Sequence, residues 1–161
     1  MTDKPEVSHE ELMLIPILRG LAREELDQFM ALFEPAQPSD GVLFEASATA
    51  EALYLISRGS VSLYQDEHEI HKLHPTVIIG EVGALTGRKR MTRALVSDDA
   101  QVWQIRVGAL NQLFEDNKDL GLHFETKLLA MLADKLDRDQ IRLRDMRANI
   151  VHTQKAMKQM R

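Results

Sequence analysis

Apolar residues recur three and four apart through "HEELMLIPILRGLAREELDQFMALF", at Leu12, Leu14, Ile15, Ile17, Leu18, Leu21, Leu26, Phe29, Met30 and Phe33. That period predicts two short helices, broken near Pro16 and Gly20. From about Pro35 to Ile105 the pattern changes. "VLFEA", "ALYLIS", "SVSLYQ", "EIHKLH", "TVIIG", "RALVS" and "QVWQIR" are short and rich in β-formers, and turn residues such as Pro38-Ser39-Asp40-Gly41 and Arg58-Gly59-Ser60 separate them. Short strands at intervals of about 8–12 residues predict a sandwich or barrel. "ALTGRK" interrupts the strands with room for a turn or two of helix. From Val107 onward the helical period returns and holds to the end of the sequence. The predicted organisation is therefore a helical lead-in over 1–33, a β core over 34–106 and C-terminal helices over 107–161.

The last segment carries a second periodicity. From Leu129 a heptad places Leu129, Leu132, Leu136, Asp139, Leu143, Met146, Ile150, Thr153, Met157 and Met160 at its a and d positions, and only Asp139 and Thr153 are polar. Such a row predicts a coiled-coil seam. A helix of that length would span roughly 48 Å, more than the width of a domain this size, so its far end needs a partner. A homodimer or a partner protein is expected on it. In a parallel pair Arg142 would face Arg147 of the mate; an antiparallel arrangement or an acidic partner would relieve that contact.

Composition narrows the class. With 161 residues, 44% of them hydrophobic and 28% charged, the chain can bury one ordinary core. There are no cysteines, which excludes disulfides, thiolate metal sites and a thiol nucleophile. No run of 18 apolar residues is present and the start "MTDKPEVSHEEL" lacks an apolar signal segment, so a cytoplasmic protein without a membrane span is expected. The net charge of −5 conceals an asymmetry, because Ile141 to Arg161 carries six Lys or Arg against Asp145 alone. That tail reads as a solvated basic helix face, with contact to nucleic acid or an acidic partner as the alternative. His68, His71 and His74 alternate in direction along a strand and do not converge, so no metal site is expected. No nucleophile–base set or carboxylate pair stands in a catalytic context, so no enzyme activity is expected.

One stretch combines opposite charges at fixed spacing. "IIGEVGALTGRKRMTRA" has a Gly80-Glu81 pair, a turn of small residues, then Arg88, Lys89 and Arg90. Glu81 precedes Arg90 by nine residues, and Arg90 precedes Trp103 by thirteen. With "LIPILRGLAREELDQF" before it and "ALYLISRGSVSLY" between, this ordered set resembles the cyclic-nucleotide-binding domains of the catabolite-activator and protein-kinase-A regulatory-subunit type. The likeness covers roughly Leu14 to Leu143.

The resemblance implies a mainly β fold with flanking helices: a double-stranded β-helix (jelly-roll) barrel with N-terminal helices and a long C-terminal helix. It implies a stand-alone regulatory module that binds cAMP, or less favourably cGMP, and signals through its C-terminal helix. Glu81 would accept a hydrogen bond from the ribose 2′-hydroxyl. Gly80 would let the backbone approach the sugar. The amides of Glu81, Val82 and Gly83 would face the cyclic phosphate. Arg90 would bind its exocyclic oxygens, with Met91 and Thr92 beside it. Gln140, after Asp139, would offer the base a polar side chain; the same pair could instead set the coiled-coil register. The sequence departs from the family pattern at Lys89, where proline is usual, and at Met91, where a small residue is usual. Two family glycines are replaced, by Ser47 and Thr76. These departures motivate the alternative of a scaffold protein with a degenerate pocket acting through its coiled coil. No recognition helix follows the long helix in this sequence, so sequence-specific DNA reading is not expected.

Overall fold

The computed structural model describes residues 4–159. Two short helices come first, α1 (His9–Leu14) and α2 (Arg23–Ala31), separated where Pro16 and Gly20 stand. Ser8 caps α1 in a reciprocal box with Glu11, and Glu25 reaches back 3.0 Å to the Ala22 amide at the start of α2. Eight strands follow. They are β1 (Glu34–Ala36), β2 (Val42–Phe44), β3 (Ala52–Arg58), β4 (Val61–Gln65), β5 (His68–Leu73), β6 (Val77–Ile79), β7 (Arg93–Val96) and β8 (Gln101–Arg106). A short helix, α3 (Glu81–Thr86), sits between β6 and β7, and α4 (Val107–Asp116) and α5 (Lys118–Gln159) follow the last strand.

The strands form two four-stranded antiparallel sheets, in the orders β1-β8-β3-β6 and β2-β7-β4-β5. Seven of the eight lie where the short β-rich runs predict them. The exception, β1, is three residues with Pro35 at its centre, too short to show a period. It pairs with β8 at the edge of the first sheet, where its Pro is tolerated. Glu34 there accepts hydrogen bonds of 2.9 Å from both Gln104 and Arg106.

Strand β3 shows how one sequence serves two cores. Leu53 and Leu55 point toward the helices, in a cluster with Leu18, Leu26, Phe29, Trp103, Ile105 and Phe124. Tyr54 and Ile56, on the opposite face, join Val61, Ile79, Ala94 and Val102 between the sheets. A strand covered on both faces needs apolar residues at successive positions, which is why "ALYLIS" is nearly continuous.

The C-terminal region is not one helix. Asn117 breaks it, leaving helical geometry and accepting the Leu120 amide at 3.1 Å through its side chain. Helix α5 then runs 42 residues, about 63 Å. Its first turns are anchored by Leu120, Gly121, Phe124 and Leu128. After Met131, which is half-buried, every described residue of the helix except Asp139 is exposed. The heptad positions Leu136, Leu143, Met146, Ile150 and Met157 all lie open to solvent; Met160 lies outside the described residues. No described helix is long and apolar enough to cross a membrane.

Phe124 is the pin that holds α5 to the body. It is wholly buried, with ring centroids 5.0 Å from Phe29 and 5.2 Å from Phe114. Phe124→Ala is expected to cost about 3–5 kcal/mol in urea-unfolding free energy. Leu136→Ala, on the exposed stretch, should leave the unfolding midpoint unchanged when measured at a concentration where the chain is monomeric.

Candidate ligand pocket at the Gly80–Arg90 cassette

Arg90 is the organising residue. It is 5% exposed and is the only charged residue among the described residues that is buried. The loop after α3 carries it inward, and two backbone bonds fix the loop: the Arg90 amide donates to Ala48 O at 2.9 Å, and Ser47 N donates to Arg90 O at 2.8 Å. The guanidinium then reaches across the cassette. Nη1 donates to Gly80 O at 2.9 Å and Nη2 donates to Ala52 O. Its carbon lies 4.3 Å from the Phe44 ring centroid and 5.6 Å from that of Tyr54. Those two rings stack on each other at 6.0 Å, offering a π-surface that suits a delocalised cation. Burial pulls the guanidinium below its usual pKa range, opposed by Tyr54 and by the charge of Glu81. Arginine's intrinsic basicity keeps it cationic.

Two of the guanidinium's five N–H groups are paired among the described residues, and one of its three nitrogens is left with no partner. Nε has no hydrogen-bond partner among the described residues. An unpaired buried N–H on a charged group is costly, and an anionic oxygen is the acceptor that would satisfy it best. The residues therefore fit an anionic ligand.

The glycines explain why the cassette can close so tightly. Gly80 sits at φ +78, and a Cβ there would lie 2.5 Å from Arg90 Nη1. At Gly83 a Cβ would meet the Ala50 side chain at 2.7 Å. Helix α3 makes its first internal bond from the Ala84 amide to Gly80 O, so the amides of Glu81, Val82 and Gly83 lie ahead of it.

The remaining candidates are placed differently. The Glu81 side chain lines a cavity of about 120 Å³ formed by Leu14, Ile15, Pro16, Ile17, Thr76, Val77, Ile78 and Met131 of α5. It makes no ion pair with Arg90 among the described residues. Burial raises its carboxyl pKa, against the pull of its own helix-terminal N–H and of the Arg90 and Lys135 charges. Met91 is 73% exposed, so it does not fill the site. Thr92 is half-buried. Gln140 is exposed, nine residues beyond Met131 on the unsupported part of α5, roughly 13 Å along the axis. It is not brought to the cassette. Ser47 holds φ +65, the left-handed backbone expected where the resemblance puts a glycine.

Phe44 and Tyr54 went unsingled by sequence reasoning. The signal was present, since strand alternation points Tyr54 between the sheets, but nothing in the strand pattern said that a cation would stand on it. Among the described residues there is no group of three His, Asp or Glu able to hold a metal ion.

Comparison with known proteins follows the same lines. Residues 37–117 match the family model described as "Cyclic nucleotide-binding domain". No curated protein sequence matches the chain. Among solved structures, the chain is similar to the catabolite activator protein of Thermus thermophilus, with 24% identity and a TM-score of 0.68, over 80% of this chain and 61% of that one. It is similar to a cyclic nucleotide-binding domain from Methylobacillus flagellatus KT, with 24% identity and a TM-score of 0.66, over 80% and 78%. The regulatory domain of Toxoplasma gondii PKA, solved with cAMP, matches at 16% identity and a TM-score of 0.57, over 65% and 42%. At these identities the likeness establishes the fold: two packed antiparallel sheets with flanking helices and a long C-terminal helix.

Two variants test the site without a ligand. Gly80→Ala should lower the melting temperature by several degrees, because it strains a left-handed residue and drives a methyl into Arg90. Glu81→Gln tests the half-buried carboxyl. A carboxyl whose folded pKa is raised contributes stability below its unfolded value near 4.5 that is lost as pH rises through the folded value. Glu81→Gln should therefore be more stable than the parent at pH 7, with the gap closing as pH falls toward 4.5. A gap that widens on acidification would contradict the burial of Glu81.

Proposed function

The chain belongs to the cyclic nucleotide-binding domain family, and from that premise we propose that it is a sensor of cAMP, with cGMP the weaker ligand, that signals through α5. The observation that carries this reading is Arg90: a buried cation with a free Nε–H, set on two aromatic rings beside the open amides of α3. A singly charged cyclic phosphate complements that set. Gly80, Glu81, Val82, Gly83, Arg90 and Thr92 are its binding residues, with the Met91 backbone alongside.

The route to the output is short. Arg90 holds the Gly80 carbonyl, Gly80 opens α3, and Glu81 at its first position shares a cavity with Met131 of α5. A ribose hydroxyl that draws the Glu81 carboxylate would move it relative to Met131 and Lys135, and so bias how α5 leaves the body. The exposed apolar face of α5 then meets a partner chain, either a second copy or another protein. In this reading the molecule regulates and does not catalyse, and it takes no metal.

Calorimetric titration of refolded, ligand-stripped protein should give micromolar or tighter binding of cAMP. Arg90→Lys keeps the charge but loses the fork and the Nε–H, and should weaken binding about 10–100-fold. Glu81→Gln should weaken cAMP but leave 2′-deoxy-cAMP unaffected. Absence of heat and of any thermal shift at millimolar nucleotide would overturn the proposal.

A further inference from the structure

We propose that Phe44 is a positioning residue for the ligand site. With Tyr54 it holds the Arg90 guanidinium where a counter-carboxylate would otherwise stand, and so leaves the site a full positive charge to offer an anion. The role in binding presupposes the nucleotide site proposed above; the hold on Arg90 does not.

A guanidinium taken out of water is ordinarily paired with a carboxylate, because an unpaired buried charge is costly. Arg90 is 5% exposed, and none of the ion pairs among the described residues includes it. The carboxylates next to its contacts along the chain are engaged elsewhere or open to water. Glu45, after Phe44, lies 3.1 Å from Arg93, and Glu51, before Ala52, is exposed. Glu81 faces the cavity beside α5. The contacts that Arg90 does make are to neutral groups. Its Nη atoms donate to the Gly80 and Ala52 carbonyls, and its central carbon stands 4.3 Å over the Phe44 ring and 5.6 Å from that of Tyr54. Carbonyl dipoles and the negative face of an aromatic ring stabilise a cation without neutralising it. A carboxylate in the same place would cancel the charge and occupy the fork.

The two rings come from opposite sheets. Phe44 ends β2 and Tyr54 lies within β3, and they stack at 6.0 Å with their planes 30° apart. Each ring is held by its own sheet and by the other ring, so the platform is set before a ligand arrives. Carbonyls fix the two Nη atoms and a ring covers one face, which leaves Nε as the nitrogen without a partner. Phe44 makes the closer of the two ring contacts. Leucine at that position would fill much of the same space between the sheets but offer no π-surface. The guanidinium would keep its charge and lose its footing.

Three variants of the full chain separate this role from ordinary packing. Phe44→Leu keeps an apolar side chain and removes the ring, with Phe44→Met in its place if that chain does not fold. Phe44→Tyr keeps the ring, and Tyr54→Phe removes only a hydroxyl. In nucleotide-free protein labelled with nitrogen-15 at arginine, ring shielding should put the Arg90 Nε–H proton upfield of the exposed arginines. It should move downfield in Phe44→Leu and hold its place in Phe44→Tyr. By calorimetry, cAMP should bind Phe44→Leu about 3–30-fold more weakly than the parent. Phe44→Tyr and Tyr54→Phe should stay within about twofold of it. An Arg90 signal unmoved in Phe44→Leu would overturn the proposal, and so would a moved signal with unchanged affinity. If the parent takes up no nucleotide, the proposed function falls and the nucleotide-free signal alone decides the hold: movement in Phe44→Leu upholds it, and a fixed signal ends it.

Discussion

A single buried guanidinium governs the arrangement of this molecule. Arg90 is drawn out of water to a place between the sheets, and a cation there is tolerated only if its hydrogens find acceptors. Two find the carbonyls of Gly80 and Ala52, and the flat face finds Phe44 and Tyr54. These contacts tie the start of α3, the start of β3 and the end of β2 to one side chain. The cassette can close this tightly only because glycine stands at positions 80 and 83. Nε, buried and without a partner among the described residues, is the nitrogen these contacts leave unused.

Glu81 occupies the other side of the same turn. Its carboxyl is held in a small apolar cavity against the lead-in and α5, with Lys135 the nearby cation from that helix. The cassette therefore presents its two charged side chains to different neighbours, the arginine to the sheets and the glutamate to the helices. A ligand that engages both acts across the turn that separates them. In the proposed function this turn is where a bound nucleotide would act on the helix, because Glu81 of α3 and Met131 of α5 line the same cavity.

Much of this was legible in the sequence. Short β-rich runs between turn residues located seven strands, and Pro16 and Gly20 marked the break between the first helices. The Glu81–Arg90–Trp103 spacing led to the cassette, and the family match over residues 37–117 bears out that resemblance. The rest was hidden for identifiable reasons. Strand β1 is too short for a period and contains a proline. The break at Asn117 depends on one side chain accepting the Leu120 amide, which a heptad or helical count does not register. Phe44 and Tyr54 read as ordinary strand residues until Arg90 is seen above them. Gln140 was placed by helical counting from the family pattern, but packing of α5 ends a full nine residues earlier, at Met131.

The most direct measurement is the side-chain NMR signal of Arg90. Protein labelled with nitrogen-15 at arginine, with the Nε–H resonance assigned by its loss in Arg90→Lys, would be titrated with cAMP. The account expects that resonance to move downfield in proportion to occupancy, as a phosphate oxygen accepts the Nε hydrogen. A resonance that stays fixed while the nucleotide saturates its site would contradict it, and would place the phosphate somewhere other than on Arg90.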